Sequence, residues 1–150
     1  MDRIRIVTIV GAAAGLATVS AASAQEKASF EKVVFPIIQE KCVECHRAPY
    51  EKTGRIRKPK AELRFDAAWG FVKGGETGAV VTPGKPEESP MFLRVSLPED
   101  HTDYMPPMGD GLTAEEKEIL KKWIADGADF GGWKGSEEAR PADAKDAFEK

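Results

Sequence analysis

Cysteine and histidine are scarce in this sequence, whose 150 residues contain only two of each. So few nitrogen and sulfur ligands leave little room for a metal site that needs four of them. Positive charge is scarce as well, because 22 lysines and arginines face 25 acidic residues and the net charge is −3. That balance argues against nucleic-acid binding, which needs a basic footprint. After residue 24, no apolar run approaches the roughly 20 residues that span a bilayer.

The first 24 residues have the three parts of a secretory signal peptide. Arg3 and Arg5 give a positive start, residues 6–19 form an uncharged and largely apolar run, and the Ala-Ser-Ala at 22–24 is a small-residue cleavage site. We predict that residues 1–24 are removed, and that the protein is periplasmic or otherwise exported from a bacterium, with no stable membrane span. The alternative is an uncleaved anchor, for which an apolar run of 14 residues is short.

Apolar spacing and capping residues indicate three helices after this segment. The apolar positions of 30–38 repeat at helical spacing, and Pro36 inside them should kink or shorten the helix. Residues 89–95 begin with Ser-Pro, which is typical of a cap followed by the first helical position. Thr113 and Glu116 form a capping box at the start of the last helix, which is the clearest of the three.

The remaining chain is predicted to be a single domain with a polar tail. We expect residues 25–133 to form one all-α domain, small and helical, with long glycine- and proline-rich loops, because no internal repeat or strand-rich segment is evident. The polar, basic segment 47–60 is expected to be one of these surface loops. Residues 134–150 are rich in Glu, Ala, Lys and Asp, which is typical of a loosely ordered tail.

The two cysteines are two residues apart and a histidine follows them, as Cys-Val-Glu-Cys-His at 42–46. This C-x-x-C-H pattern is typical of haem c attachment, in which each thiol adds to one vinyl group of the same haem. The histidine that follows then becomes the proximal iron ligand. We therefore interpret Cys42 and Cys45 as the covalent thioether positions, and His46 as an axial ligand, of one haem c.

Three other interpretations of the motif compete with haem attachment. Zinc prefers four nitrogen or sulfur ligands, and with only His101 left as a histidine it would have to recruit carboxylates. A thioredoxin-like redox pair needs a βαβ surround, which this chain lacks. A structural disulfide between Cys42 and Cys45 explains the cysteines but not the adjacent His46. Haem attachment is favoured because the export signal, the spacing and the histidine agree.

Met105 is the candidate for the sixth iron ligand, and Met108 is its alternative. Both belong to a Met-Pro-Pro-Met segment shortly before the last helix. A thioether raises the reduction potential of a haem that also carries a histidine, and the prolines would fix the loop around it. Met105 could instead be an ordinary buried methionine that fills a gap. Met91 is expected in the core, and His101, inside a polar run, at the surface.

Other side chains could surround the haem. Trp69, Trp123 and the phenylalanines could form its walls, although the same residues would also serve as plain core. Arg64, or a basic residue within 55–60, could pair with a haem propionate. For each of these cations a solvated position is the alternative.

The order and spacing of these blocks resemble the planctomycete-type cytochrome c domain, a branch of the cytochrome c-like superfamily. The resemblance covers about residues 30–133. It is carried by CVECH at 42–46, LRFD at 63–66, KGGETG at 73–78, PGKPEESPMFLRV at 83–95, MPP at 105–107 and a last helix that begins LTAEE at 112–116. Arg47 departs from the glycine usual after the histidine, and the segment 47–60 is more basic than is usual in the family.

This resemblance implies a mostly helical fold around one covalently bound haem c, with His46 and Met105 as axial ligands and electron transfer as the role. The second nitrogen of His46 should donate to a backbone carbonyl, which would fix the ring. By analogy with the family, the loop Pro83–Pro86 is the expected source of that carbonyl.

The expected function is that of an exported electron carrier rather than an enzyme, passing single electrons between redox protein partners. A haem enzyme or gas sensor with a displaceable sixth ligand is the alternative. A haem-free interaction module with a disulfide is a third possibility. The basic segment 47–60 could steer an acidic partner, and the acidic stretch 137–149 would act oppositely.

Overall fold

The computed structural model describes residues 29–145, and the predicted signal peptide at 1–24 lies outside them. The elements follow in this order: a π-helical turn Phe30–Val34, α1 Phe35–Lys41, β1 Tyr50–Lys52, β2 Arg55–Arg57, a 3₁₀ turn Lys60–Glu62, α2 Ala68–Lys73, a 3₁₀ turn Pro86–Glu88, α3 Pro90–Ser96 and α4 Ala114–Ala125. Within this part of the chain, no helix is both long enough and apolar enough to cross a membrane.

The all-α prediction is wrong, because β1 and β2 pair into an antiparallel two-stranded sheet and the domain is a small mixed α/β domain. The turn between the strands consists of Thr53 and Gly54, whose φ angles are 54° and 72°. Two left-handed residues in a two-residue turn match the natural twist of a hairpin. Both strands are almost fully exposed, so they carry no alternation of apolar and polar residues from which the sequence could have predicted them.

The first helix is short and begins at a change of helical type. Residues Phe30–Val34 form a π-helical turn, and α1 continues from Phe35 with Pro36 in its first turn. A proline is tolerated there because the first backbone N–H groups of a helix have no partner inside it. Ser29 has extended backbone before the turn, and its side chain makes no capping hydrogen bond.

The last helix begins as its sequence predicts. The Thr113 hydroxyl accepts a hydrogen bond from the Glu116 N–H at 3.1 Å, and the Glu116 carboxylate accepts one from the Thr113 N–H at 2.7 Å. This reciprocal capping box satisfies two backbone donors at the start of α4. The helix ends at Ala125, and Gly127 follows it with a φ of 102° that suits glycine and an N–H that donates to the Ile124 carbonyl.

The hydrophobic core is an aromatic cluster around Phe30, which is 1 % exposed. Its ring centroid lies 4.8–6.0 Å from those of Phe35, Phe71, Trp123, Phe130 and Trp133. These rings belong to the N-terminal turn, α1, α2, α4 and the segment after α4, so one cluster joins all of them. Burial of one such ring stabilises the fold by about 1.5–3 kcal/mol.

The C-terminal segment runs back against the start of α2. Composition predicts a loosely ordered tail for 134–150, yet the structure places 134–145 in contact with the domain. The Ser136 N–H donates to the Asp66 carbonyl at 2.8 Å, and the Trp69 indole N–H donates to the Ser136 carbonyl at 3.2 Å. These bonds use backbone carbonyls and N–H groups, which composition does not reveal.

Candidate functional site

Both cysteines of the motif, His46 and Met105 line one open cavity of about 270 Å³. Most of the remaining wall is apolar and includes Leu63, Phe65, Val80, Met91, Val95 and Pro106. The fold therefore brings together the predicted site residues of two segments that lie about 60 positions apart in the sequence.

The motif lies in a tight turn at the end of α1. The Cys42 N–H donates to the Ile38 carbonyl at 2.9 Å, at the C-terminal end of the helix. The N–H groups of Cys45 and His46 then both donate to the Cys42 carbonyl, at 3.3 and 3.1 Å. This turn is why two cysteines two residues apart, and the histidine after them, reach the same cavity.

The imidazole of His46 is held by the backbone that returns from the hairpin. Its Nδ1 lies 3.1 Å from the carbonyl oxygen of Lys60, and since a carbonyl can only accept, Nδ1 carries the proton. Nε2 is then left with a free lone pair, as an iron ligand requires. The family analogy predicted that this carbonyl would come from the loop Pro83–Pro86. That prediction is wrong, because the acceptor is the carbonyl of Lys60.

The carbonyl of Lys60 is fixed by an uncommon stretch of backbone. Ala61 and Glu62 follow it with φ angles of 52° and 55°, a left-handed conformation that residues other than glycine rarely adopt. The Ala61 carbonyl accepts from the Glu76 N–H at 2.9 Å, and a Cβ on Gly75 would lie 2.2 Å from that carbonyl oxygen. Gly75 is therefore required for the close approach that supports the histidine-binding segment.

The surroundings keep both His46 and Cys42 neutral. Burial lowers the pKa of His46, and the opposing effect of its bonds to the backbone of Lys60 and Leu63 is smaller. Burial, with a further contribution from Cys45, raises the pKa of the Cys42 thiol to about 12. A redox-active dithiol needs a lowered thiol pKa, so this environment does not support a thioredoxin-like pair.

The two methionines of the Met-Pro-Pro-Met segment differ in position. Met105 is half-buried, lines the cavity, and donates its N–H to the Arg94 carbonyl at 3.2 Å. Met108 is 77 % exposed and forms no part of the wall. Met91 is buried in the core, as expected, and also borders the cavity. His101 is exposed, and its Nδ1 accepts a hydrogen bond from a neighbouring backbone N–H, so it stays outside the site.

Two cations that sequence reasoning missed line the cavity. Lys41 directly precedes the motif, and its ammonium group lies 2.9 Å from the Glu40 carboxylate. Arg94 follows Met91 by three residues on the same face of α3, and it pairs with Asp103 at 3.5 Å. The helical spacing from Met91 was the available signal for Arg94.

Arg64 is neither a solvated cation nor part of the cavity wall. It is 3 % exposed and pairs with Asp66 through two hydrogen bonds of 2.6 and 3.0 Å. It also donates to the Glu138 carbonyl at 2.9 Å, and its guanidinium lies over the ring of Trp69. Trp69 and Trp123 likewise lie outside the wall, in which Phe65 is the aromatic residue.

The side chains present fit a haem better than the competing groups. Two thiols, a neutral imidazole and a thioether converge on an apolar cavity, which is the ligand chemistry of a haem c with histidine and methionine. Within residues 29–145, no three or more His, Cys, Asp and Glu side chains are grouped to hold a metal ion, so a zinc site has no support. Cys42 and Cys45 are not bonded to each other.

Comparison with known proteins identifies the same part of the chain. Residues 42–109, which contain the motif turn, the hairpin and Met105, match the family model described as Planctomycete cytochrome C. Neither the search of the curated proteins nor the search of the solved structures found a match.

Proposed function

We propose, from the premise that residues 42–109 form a planctomycete-type cytochrome c domain, that this protein is an exported single-haem electron carrier. Cys42 and Cys45 would hold one haem c through thioethers, and His46 and Met105 would bind its iron. The observation that carries the proposal is that these four side chains line one cavity although the two segments are distant in sequence.

The proximal side of the site supplies a fixed and neutral imidazole. Because Nδ1 of His46 donates to the Lys60 carbonyl, the ring has one orientation and one tautomer. Phe65 supports the ring edge to face, with centroids 5.4 Å apart, and its N–H donates to the His46 carbonyl at 2.8 Å. These contacts limit how far the imidazole can move when an electron arrives or leaves.

The opposite side would supply the thioether of Met105. When bound there, the haem provides a one-electron iron couple, and a methionine ligand raises its potential relative to a second nitrogen ligand. Since His46 and Met105 would occupy both axial positions, no substrate needs to reach the metal. With the haem in place, the mostly apolar wall would limit the access of water to the ligands, so that their surroundings change little between oxidation states.

Charge on the cavity wall suits the acidic edge of a haem. Lys41 and Arg94 both line the cavity, Glu76 is the acidic residue of its wall, and most of the remaining wall is apolar. We assign the binding of the haem propionates to Lys41 and Arg94. The sequence had suggested Arg64, or a basic residue within 55–60, for this role. Arg94 would also help to position Met105, because the Arg94 carbonyl accepts a hydrogen bond from the Met105 N–H.

The test is an absorption spectrum of the exported protein, oxidised and reduced, from a host able to attach haem c. We expect a six-coordinate low-spin haem, with a far-red methionine–iron band that Met105→Ala abolishes and Met108→Ala preserves. Retention of the band in Met105→Ala and its loss in Met108→Ala would move the assignment to Met108. Ready binding of carbon monoxide by the reduced wild type would instead favour a haem enzyme or gas sensor.

A further inference from the structure

We infer that one face of the hairpin is the docking surface for an acidic redox protein, an inference that rests on the proposed electron-transfer function. The hairpin and its flanks, residues 47–60, are called the basic arm below. The acidic partner would place its carboxylates on the cations of this arm and exchange an electron with a haem at the adjacent motif.

The basic arm concentrates positive charge in a chain that is negative overall. It contains six basic residues and one acidic residue, whereas the whole chain carries −3. All six cations are exposed: Arg47, Lys52, Arg55, Arg57, Lys58 and Lys60. Among the ion pairs of the described residues, only that of Lys52 with Glu44, at 2.8 Å, involves the arm. Most of its charge is therefore available to an external partner.

The register of the strands gathers these charges on one face. Lys52 lies opposite Arg55 and Tyr50 opposite Arg57, and directly opposed residues point to the same side of a sheet. Arg47 adds a further cation, because its guanidinium lies 4.7 Å from the centre of the Tyr50 ring. We call the side chains of Arg47, Tyr50, Lys52, Arg55 and Arg57 the cationic face. The other face carries the remaining pair of the register, Glu51 and Ile56.

Like charges directly opposite each other repel, and in the cross-strand pair of Lys52 and Arg55 only Lys52 has an acidic partner, Glu44. The hairpin gains little in return from burial, since its strands are almost fully exposed. Charges that weaken their own element are explained when a partner of opposite charge neutralises them.

The cationic face is tied to the proposed haem site. The Tyr50 hydroxyl and the Lys52 ammonium both donate to the carboxylate of Glu44, which stands between the two cysteines. At the far end of the arm, the Lys60 N–H donates to the Cys45 carbonyl at 2.9 Å, and the Lys60 carbonyl accepts from His46. A protein bound on this face would lie beside the haem attachment turn.

A protein fits this surface better than an anionic membrane does. Peripheral membrane binding combines cations with apolar side chains that enter the bilayer from the same face. Here the exposed apolar residue of the hairpin, Ile56, points away from the cationic face. Carboxylates at fixed positions on a folded partner match four arginine and lysine side chains arranged in two rows, and long-range attraction would raise the association rate.

The experiment measures electron transfer to the oxidised holoprotein by stopped flow from two donors: a reduced acidic flavodoxin and the cation hexaammineruthenium(II). The variant Arg55→Glu/Arg57→Glu reverses two charges of the cationic face. Its control, Lys134→Glu/Lys145→Glu, makes the same change in net charge at exposed residues outside the arm and the cavity. At low ionic strength we expect the arm variant to slow the flavodoxin reaction about tenfold or more, since steering of this kind changes rates by about 10–1,000-fold.

The control variant should stay within about twofold of the wild type, and the salt dependence should flatten only in the arm variant. Reduction by hexaammineruthenium should not slow in the arm variant, which shows that its haem is intact. Equal slowing of both variants, or a wild-type rate in the arm variant, would overturn the inference. So would binding to phosphatidylglycerol vesicles that the arm variant loses while its flavodoxin rate is unchanged. A wild type that neither donor reduces would overturn the proposed function itself.

Discussion

The two axial candidates enter the cavity from regions that are built differently. His46 lies in a turn, and its backbone N–H, its backbone carbonyl and its imidazole are all hydrogen-bonded. Met105 lies in a stretch, 97–113, that contains no helix or strand, and its N–H bond to Arg94 is the contact described for its backbone. The position of His46 is therefore fixed before haem binds, whereas the position of Met105 depends more on the bound haem.

The hydrogen-bond network around His46 also extends further into the fold than the contacts of Met105. Asp66 accepts a hydrogen bond from the Ala48 N–H at 2.9 Å, two residues after His46, and it is held by the buried Arg64. Arg64 in turn binds the carbonyl of Glu138 in the C-terminal segment. The methionine side has an arginine too, but the pair of Arg94 with Asp103 is largely exposed, at 42 % and 60 % for the two side chains. This contrast leads to four predictions, of which the first has the largest expected effect.

Replacing His46 should cost far more haem than replacing Met105. We expect His46→Ala to lower the yield of haem-containing protein by at least about tenfold, because removal of even an outer partner of a metal ligand costs about 10–100-fold. Met105→Ala should keep its covalent haem and change only the spectrum. The measurement is haem absorbance per mole of exported protein, and His101→Ala, at the exposed histidine, is the control. Equal losses of haem in the His46 and Met105 variants would contradict the proposed difference between the two axial positions.

The two arginines should differ in their effect on stability. Arg64→Ala leaves the carboxylate of Asp66, whose side chain is 15 % exposed, without its cation, and breaking such a buried pair costs about 3–5 kcal/mol. In the haem-free protein, Arg94→Ala breaks only an exposed pair, which is worth under about 1 kcal/mol. Denaturant unfolding of the two variants measures both costs. A similar midpoint for the two proteins would show that the histidine side has no special support.

Gly75→Ala should change the reduction potential of the haem through the backbone segment that holds His46. The added Cβ would push against the Ala61 carbonyl and cost about 1–3 kcal/mol of stability. If the Lys60 carbonyl moves with it, the imidazole of His46 becomes a weaker electron donor and the reduction potential rises. Potentiometric titration checks this shift. The control is Gly84→Ala, which strains a residue at φ 80° without touching a neighbour and should leave the potential unchanged.

The smallest effect is expected at Tyr104, beside Met105. Among the described residues, its hydroxyl is the one buried polar side-chain atom that lacks a hydrogen-bond partner. Tyr104→Phe removes this unsatisfied group and should be neutral or stabilise the fold by up to about 1 kcal/mol. Thermal unfolding of the haem-free and haem-containing forms tests it. A large loss of stability in the haem-containing form alone would show that the hydroxyl finds a partner there.

Sequence reasoning predicted those parts of the molecule that depend on side-chain chemistry at close spacing. The capping box of Thr113 and Glu116 follows from a local pattern and is found where expected. Met105 lines the cavity and Met108 is exposed, but iron ligation by either methionine stays a prediction.

The features that were not predicted depend on the backbone. The hairpin has a Thr-Gly turn, which is a weaker signal than Asn-Gly, and its exposed strands need no apolar pattern. The acceptor for His46 is a carbonyl, which any residue at position 60 would provide. The contacts of 134–145 likewise arise from carbonyls, such as those of Ser136 and Glu138, that become visible only once the chain is folded.

The most direct test of the central claim is the intact mass of the exported, denatured protein. We expect the mass of the mature chain plus one haem, and the mass of the chain alone for the variant Cys42→Ser/Cys45→Ser. The variant Glu44→Gln, which changes the exposed residue between the cysteines, should keep the added haem. A wild-type mass without haem, from a host that attaches haem c to other proteins, would contradict the account.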